Sequence, residues 1–404
     1  MTRIDKICVL GGSSINTPEL FDALRVEQIE VGEVALVGRS ADKLETVRQF
    51  CERYARDLGQ DATRVSATTD VDAGMSGARF VINMIRVRGD EVWGRCKDIM
   101  SAYGLDGQAL FYPGAVSNLA IVLDYAERMR RACPDAWLIE FTNPCGLHAD
   151  EIRWRFPAVK VISGCNAPRG AREQVATLLG RDGGDDANPV PAGTLVGGVE
   201  VTWFGLNHCA WITEVTVDGE SVLQEVIRRH AALAQPHWDV EEIERQGIIP
   251  IAAAARLAAA ARRPADAAPP TPPADAGARA AAPSEGGAER EQVVLAAYAN
   301  DRLPTETALA QKGSFGSYHT AIVPVVAGLA SDVPRRYVSA WPSEEALPGF
   351  PAATVECALT LVGGEAVPAF APTQLPAEVT DSFRRAGESE RLVVEAAPPA
   401  HAPP

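Results

Sequence analysis

The sequence predicts an α/β protein, a doubly wound parallel sheet followed by a mixed α+β domain. Three observations predict it. Short apolar runs alternate with helix-length segments through the first 165 or so residues, a glycine pair follows the first run, and the alternation gives way to paired strands after residue 190. Strands separated by helices need crossover connections, which are right-handed and make the sheet parallel.

Taken in order, Lys6–Leu10 is the first strand and ends at Gly11-Gly12. Thr17 is placed to cap the next helix, with Pro18 at its first position. Val34–Val37 is a strand and Ala41–Leu58 a helix, and Arg79–Met84, Trp137–Phe141 and Val159–Ile162 are further strands with helices between them. Gly193–Phe204 and Trp211–Val217 then read as paired strands, Ser221–Ala234 as a helix, and Tyr337–Ala340 and Ala353–Val362 as strands of the second domain. Within that domain Ala252–Arg290 is almost entirely Ala, Pro, Arg, Gly and Asp. Its first part suits a helix. The remainder lacks apolar bulk and reads as a disordered insert over about 264–290. The expected organisation is therefore 1–165 for the parallel domain, 166–392 for the second, and a frayed tail over 393–404.

Composition narrows the function. Apolar residues are 47% and charged residues 23%, the balance of a soluble globular chain. A formal charge of −15 argues against nucleic acid or an anionic membrane as partner. No apolar run is long enough to span a bilayer, and Met1–Ser14 enters a strand without a signal-peptide pattern. Eight cysteines are scattered without a CxxC, as in reduced cytoplasmic proteins.

Gly11, Gly12, Ser13 and Ser14 lie between the first strand and a helix, where backbone amides and a helix N-terminus bind pyrophosphate. The run is not a full GxGxxG, and a tight strand-to-helix turn explains the local sequence as well. After the second strand comes Gly38 where folds selective for NAD place an acidic residue, then Arg39, which suits a 2′-phosphate as readily as it suits solvent. Asn83 closes a later strand and is a candidate cofactor contact. Cys165 ends a parallel strand and His208 follows Gly205-Leu206-Asn207, so a thiolate and an imidazole could share a divalent ion. By spacing alone, a packed cysteine and a satisfied histidine are the commoner outcome. Asn143 ends another strand and is aimed at the same cleft.

Together, KICVLGGSSINTPEL, ARFVINMIRVRG, YGLDGQ, PDAWLIEFTNPCG, SGCNAP, GLNHCAW and ATVECALTLVGGEAVP resemble glycoside hydrolase family 4 over nearly the whole chain outside the insert and tail. The resemblance implies a Rossmann-like domain joined to a C-terminal domain of the lactate/malate dehydrogenase kind. It implies NAD+ or NADP+ and Mn2+ or another divalent metal as cofactors, Cys165 and His208 as metal ligands, Asn143 and Asn166 as substrate or metal contacts, and Arg86 as the sugar- or phosphate-binding arginine. It implies a sugar or glycoside substrate, cleaved by transient oxidation of a ring hydroxyl rather than by a carboxylate pair. The assembly expected is a homodimer or homotetramer.

The chain departs from the family pattern in its substrate and base machinery. The family's tyrosine base falls near Ala253, its GQET is Gly107-Gln108-Ala109-Leu110, its DE is Cys96-Lys97, and its glycine-rich arginine motif is altered to Lys312-Gly-Ser-Phe-Gly-Ser-Tyr-His. Tyr318, His319 and Tyr103 are the candidate replacement bases. Three expectations follow: a divergent glycosidase acting on a non-phosphorylated glycoside, a sugar oxidoreductase or epimerase that no longer cleaves, and a dinucleotide-binding protein without catalysis. Aglycone release, accumulated reduced cofactor or an inverted sugar, and binding with neither, discriminate them.

Overall fold

The computed structural model describes residues 2–85, 87, 100, 112–181, 198–252, 254–255, 287–313, 316–342, 354–368 and 376–396. Six parallel strands form the first sheet: β1 (Thr2–Leu10), β2 (Ile29–Val37), β3 (Arg64–Thr68), β4 (Phe80–Asn83), β5 (Trp137–Glu140) and β6 (Lys160–Ser163). Their order is β3-β2-β1-β4-β5-β6, the doubly wound dinucleotide-binding order, with its switch point between β1 and β4. Alternate residues of β1 face opposite layers. Ile7 and Val9 join one hydrophobic cluster, Cys8 and Leu10 the other, so helices must cover both faces.

The strand β3 was not expected from the sequence. It is a five-residue edge strand in which Val65 alone is buried, so it carries little apolar signal. Thr17 does not cap the helix as expected. That helix runs Glu19–Val26 with Pro18 at its cap and no side-chain cap bond, and Thr17 is buried. A series of tight turns instead carries the chain in, with Thr17 N donating to Ser14 O and Glu19 N to Asn16 O.

The second sheet is mixed in length and antiparallel. It contains β7 (Val199–Leu206), β8 (Cys209–Val217), β9 (Glu220–Ser221), β10 (Ile249–Ala252), β11 (Arg335–Pro342), β12 (Thr354–Val362) and β13 (Glu365–Pro368). Its path is β10-β8-β7-β12-β11, with β9 on β8 and β13 on β12. Most of the Ala/Pro insert lies outside the described residues, but its expected last residues open a helix, Gly287–Ala299. That helix returns to the first domain, where Tyr298 stacks on Phe50 and its hydroxyl donates to Ile15 O at 2.6 Å. The expected fraying at 393 is also corrected. The last helix runs Ala377–Ala396, and Val393 and Val394 pack against the second hydrophobic cluster, a partner distant in sequence.

The two sheets meet edge to edge where β6 approaches β11. Ser339 Oγ donates to Ser163 O at 2.6 Å, Ala340 N donates to Ser163 Oγ at 3.1 Å, and all of this is buried. Arg153, on the helix Cys145–Arg155, donates to Val161 O and Ala340 O at 3.0 and 2.9 Å, one carbonyl from each sheet. Arg153→Met keeps the aliphatic stem and removes both bonds. It is expected to lower the unfolding free energy by about 1–3 kcal/mol, read by urea denaturation; an unchanged midpoint would show that the junction does not rely on them.

Candidate active site

The glycine loop is shaped by close approach. Gly11 has φ +87°, and a Cβ there would lie 2.8 Å from Met84 O. A Cβ on Gly12 would lie 2.8 Å from the Leu36 Cβ. The Gly11 and Gly12 amides both donate to Val37 O, so they serve the fold rather than a ligand. The Ser13 and Ile15 amides, by contrast, donate to no acceptor among the described residues, which leaves donors of the kind a phosphate needs. Arg39 is exposed just after β2. Asn83, buried at the end of β4, donates from Nδ2 to Glu140 Oε2 at 2.7 Å. Its Oδ1 has no partner among the described residues, a buried acceptor suited to a bound group at the sheet's ligand edge. Glu140 also accepts from Thr142 N at 2.8 Å. Glycine cradle, free amides and orphaned acceptor together fit a dinucleotide.

Cys165 and His208 come together from different sheets. Cys165 follows β6 through Gly164, where a Cβ would press within 3.2 Å of the Phe141 ring and 3.3 Å of Ala321 O. His208 occupies the two-residue turn between β7 and β8 at φ +60°, an uncommon backbone for a histidine. Gly205 makes that hairpin possible, since a Cβ there would meet Cys209 O and Ala210 Cα at 2.4 Å. The result places Cys165 Sγ 3.7 Å from His208 Nε2, and Asn143 Oδ1 3.3 Å from the same nitrogen.

That donor set fits a divalent ion. Bonds of about 2.3 Å to sulfur and about 2.1 Å to nitrogen at a tetrahedral angle hold the two atoms about 3.6 Å apart. Burial pushes the Cys165 thiol up to about 12 and His208 down to about 4. The imidazole is thus neutral near pH 7, the form that ligates, while the thiol keeps its proton until a cation displaces it. Among the described residues no group of three or more His, Cys, Asp or Glu is placed to hold a metal, so two protein ligands would leave positions open for substrate oxygens.

Other expected site residues lie elsewhere. Asn166 is not turned to this pair. Its Nδ2 donates to Ser317 Oγ at 3.0 Å and its Oδ1 accepts from Thr320 at 2.5 Å, bracing the π-helical turn Tyr318–Ile322. Tyr318 and His319 on that turn do not stand at the pair either. Tyr318 is fully buried with Thr17 and Glu19 around its hydroxyl, and burial raises its pKa. His319 Nε2 faces Asp22 Oδ2 at 3.4 Å. The physical reason is that Tyr318 and His319 turn toward the helix Glu19–Val26, while the hydroxyls of Ser317 and Thr320 face Asn166. Lys312 is buried in an ion pair with Glu19. Arg86, Tyr103, Cys96, Lys97, the segment 107–110 and Ala253 lie outside the described residues.

Three residues near the pair were missed, Glu356 and Asn207 buried and Tyr337 half-buried. Glu356 is 1% exposed; the signal for it was a charge inside the apolar run Val355–Val362. Asn207 precedes His208 and was passed over as part of the turn. Tyr337 donates to Ala321 O at 2.6 Å, and desolvation raises its pKa well above the usual phenol value.

A sheet of dinucleotide-binding order joined at its edge strand to a second, antiparallel sheet defines a class of two-domain α/β proteins. The lactate dehydrogenase of Cryptosporidium parvum shares the fold at TM-score 0.58, 14% identity and full coverage of both chains. The model for family 4 glycosyl hydrolases matches residues 6–181, and that for the family's C-terminal domain matches residues 203–399. The chain belongs to family 4 of the glycosyl hydrolases. A 6-phospho-beta-glucosidase from Thermotoga maritima, solved with NAD and glucose-6-phosphate, superposes at TM-score 0.74 with 21% identity, covering 97% of this chain and 89% of that one. A probable 6-phospho-beta-glucosidase of Bacillus subtilis is 28% identical over 62% of this chain and 57% of its own length. An alpha-galactosidase of Rhizobium meliloti is 27% identical over 54% of this chain and 43% of its own. The matched stretch thus spans about half the length of these curated relatives. No helix among the described residues is long and apolar enough to cross a membrane.

Gly11→Ala is expected to lower stability by about 1–3 kcal/mol, because alanine is strained at this φ and its methyl meets the Met84 carbonyl. Thermal unfolding checks it; an unchanged midpoint would mean that the loop relaxes without strain.

Proposed function

We propose that the chain is an NAD+- or NADP+-dependent, divalent-metal-assisted glycosidase that acts through transient oxidation of a ring hydroxyl. The observation that carries this reading is the 3.7 Å approach of Cys165 to His208, with Asn143 beside them, at the ligand edge of a dinucleotide-ordered sheet. When bound, the dinucleotide supplies reversible oxidation of a ring carbon, and the divalent ion, Mn2+ by family resemblance, stabilises charge developing on the neighbouring oxygen. In this reading Cys165 and His208 hold the ion, and Asn143 orients the sugar oxygens that complete its shell. The Ser13 and Ile15 amides bind the pyrophosphate, and Asn83 offers its Oδ1 to the cofactor. Arg39, with no acidic residue at Gly38, makes room for a 2′-phosphate. Arg86 is the proposed sugar contact.

A second reading, a sugar oxidoreductase or epimerase that leaves the glycosidic bond intact, is favoured by one observation. Tyr318 and His319 point to the helix Glu19–Val26, so of the three candidate bases only Tyr103 is left for the elimination step. Burial of Lys312 against Glu19 also removes a cation from the segment that carries the family's arginine motif, which supports a non-phosphorylated glycoside. We read the enzyme as a cytoplasmic homodimer or homotetramer, which light scattering measures.

Purified protein with NAD+ or NADP+, Mn2+ and a panel of aryl glycosides tests the reading. Aglycone release supports the glycosidase, and reduced cofactor or an inverted sugar supports the alternative. Cofactor binding with neither product overturns both. Cys165→Ser and His208→Ala are each expected to remove metal-dependent activity by about 100-fold or more, while NAD+ affinity by titration stays within about threefold. Full activity of either variant in chelator would sink the metal assignment.

A further inference from the structure

The end of β2 lies against the glycine loop. Gly11 and Gly12 donate their amides to Val37 O at 3.0 and 2.9 Å, so the next residue, Gly38, stands beside the loop. A Cβ on Gly38 would lie 3.1 Å from Ser13 Oγ and 3.2 Å from Leu44 Cδ1. In a sheet of this order, this corner is where the adenine-side ribose of a bound dinucleotide meets the protein. An acid there accepts from the 2′-hydroxyl and, by like charge, excludes a 2′-phosphate. Glycine does neither. Charge at the corner is also unbalanced. Arg39 is exposed and makes no hydrogen bond or ion pair among the described residues. Lys43, the next cation along the chain, is committed to Glu291 at 2.6 Å. Of the nearby acids, Glu45 accepts from Arg48 at 2.8 Å, and Asp42, exposed in the first turn of the helix Ala41–Asp57, forms no ion pair with Arg39. Ser40 is the N-cap of that helix, yet its side chain makes no cap bond. A guanidinium and a hydroxyl thus follow the missing acid, each without an acceptor among the described residues.

We infer that the chain selects NADP+ over NAD+, and that Arg39 and Ser40 take the 2′-phosphate. The inference rests on the dinucleotide reading above, which admits either cofactor, and decides between them. A phosphate monoester carries a charge of about −1.5 to −2 at pH 7 and three strong acceptor oxygens. A planar guanidinium donates to two such oxygens at once, and a serine hydroxyl supplies a donor for the third. NAD+ brings only a hydroxyl to this corner, where residue 38 has no carboxylate to receive it. The two cofactors therefore differ in what Arg39 gains from them, and the glycine removes the group that would reverse the preference.

The test is calorimetric titration of the full chain with NADP+ and with NAD+ in one buffer. NADP+ is expected to bind about 10- to 100-fold tighter, the range that hydrogen bonds to a charged group supply. Adenosine 2′,5′-bisphosphate is expected to bind more tightly than adenosine 3′,5′-bisphosphate, which has the same charge with one phosphate displaced. Arg39→Ala should bring both ratios close to one. Gly38→Asp should invert the dinucleotide ratio, because it sets a like charge against the 2′-phosphate. Binding of neither dinucleotide overturns the cofactor reading and this inference together. NAD+ binding as tightly as NADP+, or equal binding of the two bisphosphates, overturns the selection and leaves the cofactor reading intact. Ratios that Arg39→Ala leaves unchanged overturn the assignment of the phosphate to Arg39. If Gly38→Asp crowds Ser13 and fails to fold, Arg39→Ala and the wild-type ratios decide.

Discussion

The site exists because β6 of the parallel sheet is joined to β11 of the antiparallel sheet through Ser163 and Ser339. Buried hydroxyls and amides away from water must find partners, and here the partners are on the opposite sheet. The junction fixes where β6 ends, and so where Cys165 stands. On the other side, β12 carries β7, and β7 ends at the turn that holds His208. Displacing one sheet by an ångström would separate the sulfur from the imidazole by about as much, enough to spoil a shared ion.

Glycines do local work where a side chain would crowd its neighbours. Gly164 lets the chain pass between Phe141 and Ala321 just before Cys165, and Gly205 lets the hairpin strands approach until His208 is forced into its left-handed turn. Both sites are close approaches rather than flexible points, and both sit one to three residues from a proposed ligand. The glycine loop after β1 is built in the same manner, with Gly11 against Met84 and Gly12 against Leu36.

The segment after the insert is more than a connection. Tyr298, Lys312 and Tyr318 all contact the loop or the first helix of the parallel domain, at Ile15, Glu19 and Thr17. This packing explains why Tyr318 and His319, attractive as bases in the sequence, are structural here. Their turn is held by Asn166 from one side and covers the helix Glu19–Val26 on the other. The glycine loop after β1 and the helix it leads into are therefore braced by residues some three hundred positions away.

The amino-acid sequence by itself determined the alternating α/β order, the glycine loop after β1 and the change of pattern near residue 190, whereas Cys165 and His208 were singled out together through the family resemblance. Those features are local or positional: apolar period, glycine after a strand, and a polar residue at a strand's end are visible without knowing what packs where. Only the tertiary structure decided which polar side chains face one another. It tied Asn166 to Ser317 and Thr320, turned Tyr318 and His319 away, and paired the buried Glu356 with Asn207 of the His208 turn. Val393 and Val394 came to pack against the core for the same reason. Contacts between residues far apart along the chain leave no period to read, because they are set by how two sheets dock, and docking is decided by burial of polar groups that only the folded molecule brings together.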